Sequence, residues 1–340
     1  MCGKAIWLML DSRSNGGIES HVCELATALH QRGHQVSVVF WKRYHKAHPL
    51  EVTLQEREIN CVVLKGSIHS YMKALQTHQP DIVHTHGYKA GIAARLCAKF
   101  YHYAVVSSFH AGEPGQGKVR IYDWLDRASA SFSDHRIAVS QGVAERLPAA
   151  TEVIQNFVTL PNDIERTQDY LGEVAFVGRL SHEKAPDRFI ALAMVHPELK
   201  FVVYGDGPMA DQLRQSAPSN VYFKGMVEDM SRHWKHIGLL CMPSRFEGLP
   251  LAALEALSHG IPVLAAPVGG LKSLICDDVN GWLVDGTDQE RWHSHIDHWT
   301  SISAGQRSAM SLRSRLLIAK HYSPDAILPK FESIYGQVAG

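Results

Sequence analysis

Short apolar runs alternate with helix-like segments along most of this chain of 340 residues. Apolar runs with no polar alternation are typical of strands that are buried on both faces. Strands that alternate with helices form parallel sheets covered by helices on both sides, which predicts an α/β fold. The predicted strands are 5–10, 35–41, 61–64, 81–86, 105–110, 136–140, 153–156, 173–180, 200–205, 221–223, 238–243, 262–266 and 281–284. The predicted helices are 17–32, 67–78, 87–101, 119–131, 187–195, 209–216, 251–258 and 270–275.

The alternation restarts after residues 159–172, a segment with turn chemistry that includes Pro161, Asn162 and Asp163. Because 340 residues is long for one hydrophobic core, two domains are expected. We predict two Rossmann-like domains, residues 1–160 and 161–321. Ligands of open parallel sheets bind beyond the carboxyl ends of the strands, so we expect the two sheets to face a central cleft.

The composition excludes several classes of protein. Lys and Arg number 34 and so do Asp and Glu, which gives no bulk electrostatic basis for binding nucleic acid. No apolar run is long enough to span a bilayer, and residues 4–10 are too short for a signal peptide. The six cysteines include no C-x-x-C pair, which predicts free thiols in a reducing cytoplasm.

The two halves of the chain differ modestly in net charge, which bears on whether the protein contacts a membrane. Residues 1–160 hold 17 Lys and Arg against 13 Asp and Glu, so the two halves carry net charges of +4 and −4. Such a difference is commonly scatter, but a face resting on an anionic membrane would also show it. Residues 41–46 (Trp-Lys-Arg-Tyr-His-Lys) combine aromatic and cationic side chains as interfacial segments do, although a solvated loop is the alternative. Peripheral contact with the inner face of the plasma membrane is therefore one expectation.

The most informative stretch is residues 244–256, which follow the predicted buried strand 238–243. A polar loop leads to Pro250, and proline is well tolerated in the first turn of a helix, so a helix is predicted to begin there. Its free N–H groups and positive dipole end would form an anion site. Glu247 and Glu255 flank this site. Two hydroxyl acceptors beside an anion site suit a ligand with both phosphates and sugars.

A second candidate site follows the strand that ends at Gly178. Arg179 and Lys184 occupy the short loop before the next helix. Arginine presents a fork to phosphate oxygens and lysine a point charge, so the two cations would neutralise a leaving diphosphate. A solvated basic turn is the alternative.

Two glycine motifs also admit a phosphate ligand. Gly16 and Gly17 follow the first strand and open a helix, so they either let backbone approach a diphosphate or form an ordinary turn with positive φ. Residues 205–210 fit the dinucleotide pattern G-x-G-x-x-A, although Pro208 more simply marks a helix start. This motif keeps a nicotinamide-dependent oxidoreductase open as an alternative.

Histidines at the strand ends are a further candidate. His110 follows a predicted strand, where it could donate a hydrogen bond to a reacting group, but the chain has 21 histidines and a structural role is the alternative. His84 and His86 form an H-x-H pair. Alternate residues share one face of any strand, and no cysteine or acidic partner is suitably spaced, so no metal site is predicted.

Taken in order, these motifs resemble the retaining GT-B glycosyltransferases of family 4. The resemblance rests on Gly16-Gly17, on 177–180 with Lys184, on 205–208, and above all on Phe246-Glu247-Gly-Leu-Pro-x4-Glu255. It spans almost the whole chain and implies that a C-terminal helix over 322–337, in a tail of about 322–340, packs back on the first domain. Phe157 stands where the family often has glycine after Asn156, so the connection between the domains is expected to differ in shape.

The resemblance implies that the second domain holds a nucleotide-sugar donor. Arg179 and Lys184 would contact its diphosphate. Glu255 would bind the ribose hydroxyls, and Glu247 the hydroxyls of the transferred sugar.

The remaining roles follow from the same resemblance. Backbone N–H groups near Gly248 and Leu249 would assist in binding the sugar. In the first domain, Gly16 and Gly17 would meet the distal phosphate, and His110 would lie near the sugar and the acceptor. No metal or other cofactor is implied, which is consistent with the lack of a D-x-D pair at a strand end.

The resemblance leaves the substrates open. A UDP-sugar is favoured as donor over GDP-mannose. The expected acceptor is a glycan or lipid-linked intermediate of bacterial surface polysaccharide or lipopolysaccharide synthesis. A nucleotide-sugar 2-epimerase of the same architecture and a non-catalytic partner subunit remain alternatives.

Overall fold

The structure, a computed structural model, describes residues 3–13, 16–44, 48–110, 118–147, 150–162, 171–227 and 229–339. The chain divides into two units, the first domain (Met1–Phe157 with Pro324–Gly340) and the second domain (Val158–Ser323). The connection predicted over residues 159–172 is described at its two ends, and residues 163–170 lie outside the described residues.

The first domain contains a seven-stranded parallel sheet. Its strands are β1 (Ala5–Leu10), β2 (Gln35–Phe40), β3 (Asn60–Val63), β4 (Ile82–His86), β5 (Ala104–Phe109), β6 (His135–Ala138) and β7 (Glu152–Val153), in the order β3-β2-β1-β4-β5-β6-β7. The connecting helices are α1 (Gly17–Gln31), α2 (Pro49–Glu56), α3 (Ile68–His78), α4 (Tyr88–Cys97), α5 (Lys118–Ala128) and α6 (Gln141–Ala144). The central strands are buried, as continuous apolar runs predict.

The second domain repeats this plan with six parallel strands. They are β8 (Glu173–Val177), β9 (Phe201–Tyr204), β10 (Val221–Gly225), β11 (Ile237–Met242), β12 (Val263–Ala265) and β13 (Gly281–Leu283), in the order β10-β9-β8-β11-β12-β13. Its helices are α7 (Pro186–Val195), α8 (Ala210–Ser216), α9 (Leu251–Ser258), α10 (Leu271–Leu274), α11 (Gln289–Ser301) and α12 (Ala304–His321). The predicted α/β class with two parallel sheets is therefore confirmed.

The last helix, α13 (Pro324–Val338), belongs to the first domain. Its buried residues Phe331 and Tyr335 join the core formed by α1 and the first sheet. Phe157 is fully buried in the same core, with its ring centroid 6.5 Å from that of Phe331. The phenylalanine that replaces the expected glycine thus has a packing role in this domain.

Four helices are absent from the sequence prediction: α2, α6, α11 and α12. In α11 the buried side chains Trp292, Ile296 and Trp299 have helical spacing, but polar residues and histidines between them dilute the apolar signal. The start of α12 carries a capping box between Ser303 and Gln306, a local signal that could have identified it.

Two further expectations concern membrane spans and thiols. Among the described helices, none is both long enough and apolar enough to cross a membrane. Five cysteines are described and all five are free, whereas Cys2 lies outside the described residues.

Each sheet has a point where the direction of strand addition reverses. In the first sheet this switch point lies between β1 and β4, and in the second between β8 and β11. Loops at the carboxyl ends of the strands that flank a switch point diverge and leave a crevice, which is the usual ligand site of such sheets.

Candidate active site

The loops that follow β8 and β11 meet across the switch point of the second sheet. Lys184 Nζ donates a hydrogen bond to Glu247 Oε2 at 2.6 Å, and Ser244 Oγ donates to Glu247 Oε1 at 2.8 Å. The Glu247 side chain is 3% exposed and that of Lys184 is 29% exposed. A buried carboxylate with a fixed cation beside it therefore occupies the edge of the sheet where ligands bind.

Backbone contacts hold these two loops together. The N–H groups of Arg245 and Phe246 both donate to the carbonyl of Glu183, at 2.8 and 3.2 Å. Arg245 also forms a two-pronged pair with Asp187, at 3.0 and 2.6 Å. Hydrogen bonds from Arg245 lower the pKa of the Asp187 carboxyl below its ordinary value. The position of Glu247 is thus set by the protein itself.

Helix α9 begins directly after Pro250, where the sequence predicted it to begin. The loop after β12 closes on the backbone that precedes this helix, because Gly270 N donates to Gly248 O at 2.6 Å. A Cβ atom on Gly269, whose φ is +53°, would lie 2.1 Å from Glu247 O. This glycine pair therefore permits the close approach, and nothing in the sequence analysis identified it.

The other predicted donor residues lie on the same elements. Arg179, after β8, is exposed, and its side chain makes no hydrogen bond or ion pair with the described residues. Glu255 is half-buried in α9, one turn beyond its first residue. Leu249 is buried in the core of the domain, so only its backbone is a candidate ligand group.

The G-x-G-x-x-A motif has a structural explanation. A Cβ on Gly205 would lie 1.9 Å from Gly178 O, and one on Gly207 would lie 2.5 Å from Leu180 O. The two glycines are therefore required by contact with the loop that carries Arg179. A dinucleotide is not needed to account for them, and the motif fixes this loop in place.

Unlike Gly205 and Gly207, Gly17 of the glycine pair in the first domain is not required by a close contact. Gly16 is the N-cap of α1 with extended backbone, and Gly17 is exposed as the first helical residue. Neither has positive φ, so the alternative of a positive-φ turn is wrong for these two residues. A Cβ on Gly17 would meet nothing within 4 Å. Among the described residues of its own domain, Gly17 has no steric reason to be glycine.

An ion pair spans the switch point of the first sheet. Lys89 Nζ lies 2.8 Å from Asp11 Oδ2, and Tyr44 OH donates to Asp11 Oδ1 at 2.8 Å. The Arg13 guanidinium lies 4.7 Å from the centroid of the Tyr44 ring. Sequence reasoning missed this cluster, although Asp11 directly follows β1 and Lys89 lies three residues after the end of β4.

Part of the aromatic and cationic segment 41–46 is buried or paired within the first domain. Trp41 is buried, and Arg43 Nη2 lies 2.6 Å from Glu51 Oε2. His45 and Lys46 lie outside the described residues. The described part of this segment gives no support to membrane contact.

Three histidines converge at the carboxyl edge of the first sheet. His110 Nε2 lies 3.1 Å from His86 Nδ1, and the ring of His21 in α1 lies 5.0 Å from that of His110. One ring nitrogen from each of the three lies within 4.8 Å of the others. His84 is separate, because both its nitrogens are hydrogen-bonded to other side chains.

Burial keeps this cluster neutral. It lowers the pKa of His21 to about 4 and holds the pKa values of His86 and His110 well below their ordinary value, and neighbouring imidazoles add to both of the latter effects. The prediction of no metal site at H-x-H rested on the lack of a suitably spaced cysteine or acidic partner in the sequence. The fold brings His21 and His110 to His86, one member of that pair, and these three imidazoles could coordinate an ion such as Zn²⁺.

A cavity of about 60 Å³ adjoins His110. Its polar lining includes Asp123, Arg127 and Arg146, which the sequence analysis did not select. Residues 111–117, which follow His110, lie outside the described residues. A larger cavity of about 360 Å³ in the second domain contains none of the predicted donor residues.

Both halves of the chain match models of known protein families. Residues 15–162 match the family model Glycosyltransferase Family 4, and residues 165–315 match the model Glycosyl transferases group 1. A D-inositol 3-phosphate glycosyltransferase of Mycobacterium marinum is 26% identical over an alignment that covers 94% of this chain and 82% of the relative. The protein of that name from Mycobacterium tuberculosis is 28% identical over 314 residues, which cover 78% of this chain and 65% of the relative.

Solved structures show the same fold. The Anabaena protein Alr3699/HepE in complex with UDP-glucose has a TM-score of 0.81 at 19% identity, covering 98% of this chain and 99% of that one. Sucrose-phosphate synthase from Thermosynechococcus elongatus has a TM-score of 0.80 at 16% identity, with the same coverage.

Proposed function

We propose that this chain, a glycosyltransferase by the family models that its two halves match, transfers a hexose from a nucleotide-diphosphate sugar with retention of configuration. The observation that carries this proposal is the Lys184–Glu247 pair at the switch point of the second sheet. A UDP-sugar is the favoured donor, supported by the UDP-glucose complex of the Anabaena protein. GDP-mannose is the second choice.

The leaving diphosphate would be stabilised by groups that the second domain already orients. Arg179 is exposed and its side chain has no hydrogen bond or ion pair among the described residues, and Lys184 follows five residues later in the same loop. Backbone N–H groups near Gly248 and at the start of α9 add the positive end of a helix dipole. Fixed donors of this kind act on charge as it develops in the transition state. We propose that they do so without a metal ion.

Glu247 is the residue that we assign to the transferred sugar. Its carboxylate is held by Ser244 and Lys184, so its oxygens have a fixed direction before a donor binds. It would accept hydrogen bonds from sugar hydroxyls, whereas Glu255 would accept them from the ribose. We favour a same-face substitution in which the leaving phosphate helps to deprotonate the acceptor.

The first domain would serve the acceptor and the distal phosphate. The open space at Gly17 suits the approach of a phosphate, and the neutral imidazole of His110 can donate or accept one hydrogen bond, which we propose it makes to the sugar or the acceptor. The acceptor that we propose is a glycan or lipid-linked intermediate of bacterial surface polysaccharide synthesis. The inositol phosphate named for the mycobacterial relatives makes a phosphate-bearing hydroxyl acceptor a second choice.

Thermal-shift measurements in EDTA, across a panel of nucleotides and nucleotide sugars, test the donor assignment without an acceptor. A nucleoside diphosphate and its sugar should raise the melting temperature, and Arg179→Ala should weaken the shift. The proposal fails if only the reduced nicotinamide cofactors protect the protein, or if protection requires a divalent ion. Conversion of the donor with no acceptor present would indicate the 2-epimerase instead.

A further inference from the structure

Helix α5 in the first domain turns its acidic side inward and its apolar side outward. Asp123 and Asp126 are each 5% exposed, whereas Ile121 is 61%, Trp124 63% and Leu125 39% exposed. The three apolar residues have the spacing of one stripe along a helix. A helix of a globular domain normally buries its apolar stripe, so the orientation of α5 is inverted.

Buried ionic contacts fix this orientation. Arg95 of α4, which is 1% exposed, pairs with Asp126 and also donates to Ser107 Oγ at 2.9 Å. A Cβ on Gly91 would lie 2.7 Å from Asp126 Oδ1, so α4 leaves room for the carboxylate. Rotating the apolar stripe inward would leave Arg95 as an unpaired buried charge, which is strongly unfavourable. The buried ion pair therefore keeps the apolar side of α5 facing outward.

Further exposed apolar side chains lie on the elements next to α5. Helices α4 and α5 pack on the short 3₁₀ turn Ala130–Phe132. Leu96 is 46%, Phe100 80% and Phe132 52% exposed. We call the set formed by these three side chains together with Ile121, Trp124 and Leu125 the α5 surface. Large exposed apolar side chains on adjoining elements are the kind of surface that marks an interaction site.

Two cations, Lys99 and Arg120, and one exposed carboxylate, Asp134, lie beside the α5 surface. Lys99 Nζ lies 4.6 Å from the centroid of the Phe132 ring, and Arg120 is exposed on α5. The two acidic residues of α5 are withdrawn to the inner side. Asp134 lies two residues past Phe132, and its Oδ2 accepts a hydrogen bond from Val105 N. The outer side of α5 thus combines cations with large apolar side chains.

We propose that the α5 surface docks the first domain on an anionic lipid bilayer. Tryptophan, phenylalanine and leucine on one side of a helix, flanked by lysine and arginine, match the chemistry of the boundary between head groups and acyl chains. The cations would meet lipid phosphates, and no acidic side chain of α5 would be repelled. This surface is distinct from residues 41–46.

Co-sedimentation of the full chain with vesicles of phosphatidylcholine, with and without phosphatidylglycerol, tests the proposal. We expect binding to the anionic vesicles that weakens as salt rises. The double variant Ile121→Gln/Trp124→Gln should lower partitioning by about tenfold or more, and Arg120→Gln by about fivefold. The matched control is Leu312→Gln/Leu316→Gln on α12, which changes two residues that are 60% and 58% exposed and should have no effect.

Tryptophan fluorescence locates the contact. Trp124 is the exposed member of the seven tryptophans, and the other six are buried. Brominated lipids should therefore quench the wild type, whereas Trp124→Phe should bind vesicles with little quenching. The proposal is overturned by absent vesicle binding, by equal loss in the α12 control, or by a solution dimer that the Ile121/Trp124 variant dissociates. Thermal melts and a donor thermal shift verify that each variant is folded.

Discussion

Lys184 Nζ lies 2.6 Å from Glu247 Oε2, so a cation assigned to the diphosphate is held by a carboxylate assigned to the sugar. The two residues come from loops after β8 and β11, the strands that flank the switch point. Each side chain thus orients the other before a donor arrives. Such pre-orientation spares the reorganisation that would otherwise accompany charge development.

Removing either cation should slow transfer. Arg179→Ala and Lys184→Ala are each expected to lower kcat/KM for the donor by about 10²–10³, since each deletes a hydrogen-bond donor that we assign to the leaving phosphate. The control Lys272→Ala, which alters an exposed cation on α10, should leave steady-state rates unchanged. Full activity in both Arg179→Ala and Lys184→Ala would refute the phosphate assignment.

Glu255→Ala should mainly raise the donor KM. Losing a hydrogen bond to a charged group costs about 1.5–3 kcal/mol, here in the binding of the ribose. A 2′-deoxyribose or 3′-deoxyribose donor provides the matched test, because wild type should bind at least one of them weakly whereas the variant should no longer discriminate. If kcat falls while KM stays constant, Glu255 acts on the reacting sugar instead.

Two glycine variants should separate function from stability. Gly17→Ala places a methyl group in open space at a helix start, so the free energy of unfolding should hold or rise by about 0.5–1 kcal/mol while donor turnover falls. Gly205→Ala places a methyl group 1.9 Å from Gly178 O at a φ of +146°, and it should destabilise the second domain by about 1–3 kcal/mol or more. Unfolding in denaturant and steady-state kinetics measure both effects. Destabilisation by Gly17→Ala would show that this glycine serves the fold.

Acid should destabilise the first domain through His21. Burial lowers its pKa to about 4, against an ordinary value of 6.5, so between these limits the unfolded chain binds a proton that the folded chain does not. The stabilisation that depends on a neutral His21 is fully present above pH 6.5. It is lost as the pH falls to about 4, which lowers the free energy of unfolding by up to about 3 kcal/mol. His21→Leu should flatten the dependence of unfolding free energy on pH, and the exposed control His30→Leu should not. An unchanged slope in His21→Leu would contradict this account.

Local patterns predicted most strands and the start of α9, because the periodicity of buried strands and the position of Pro250 are properties of neighbouring residues. Contacts between distant residues were not predictable in this way. His110 reaches His86 because β5 lies beside β4, and His21 approaches both from α1. The glycine pair at 269–270 meets Glu247 only once β12 lies beside β11. The inverted face of α5 depends on Arg95 in another helix, so an amphipathic pattern alone could not show which side is buried.

The central claim is that Glu247 acts on the sugar during transfer. The direct measurement is release of labelled nucleoside diphosphate from a panel of donors, with wild type, Glu247→Ala and Glu247→Gln, in the presence of a glycan and lipid extract as acceptor source. We predict release by wild type with at least one donor, and a fall in kcat of about 10²–10³ in both variants with little change in donor KM. Loss of affinity alone, with kcat preserved, would contradict the claim.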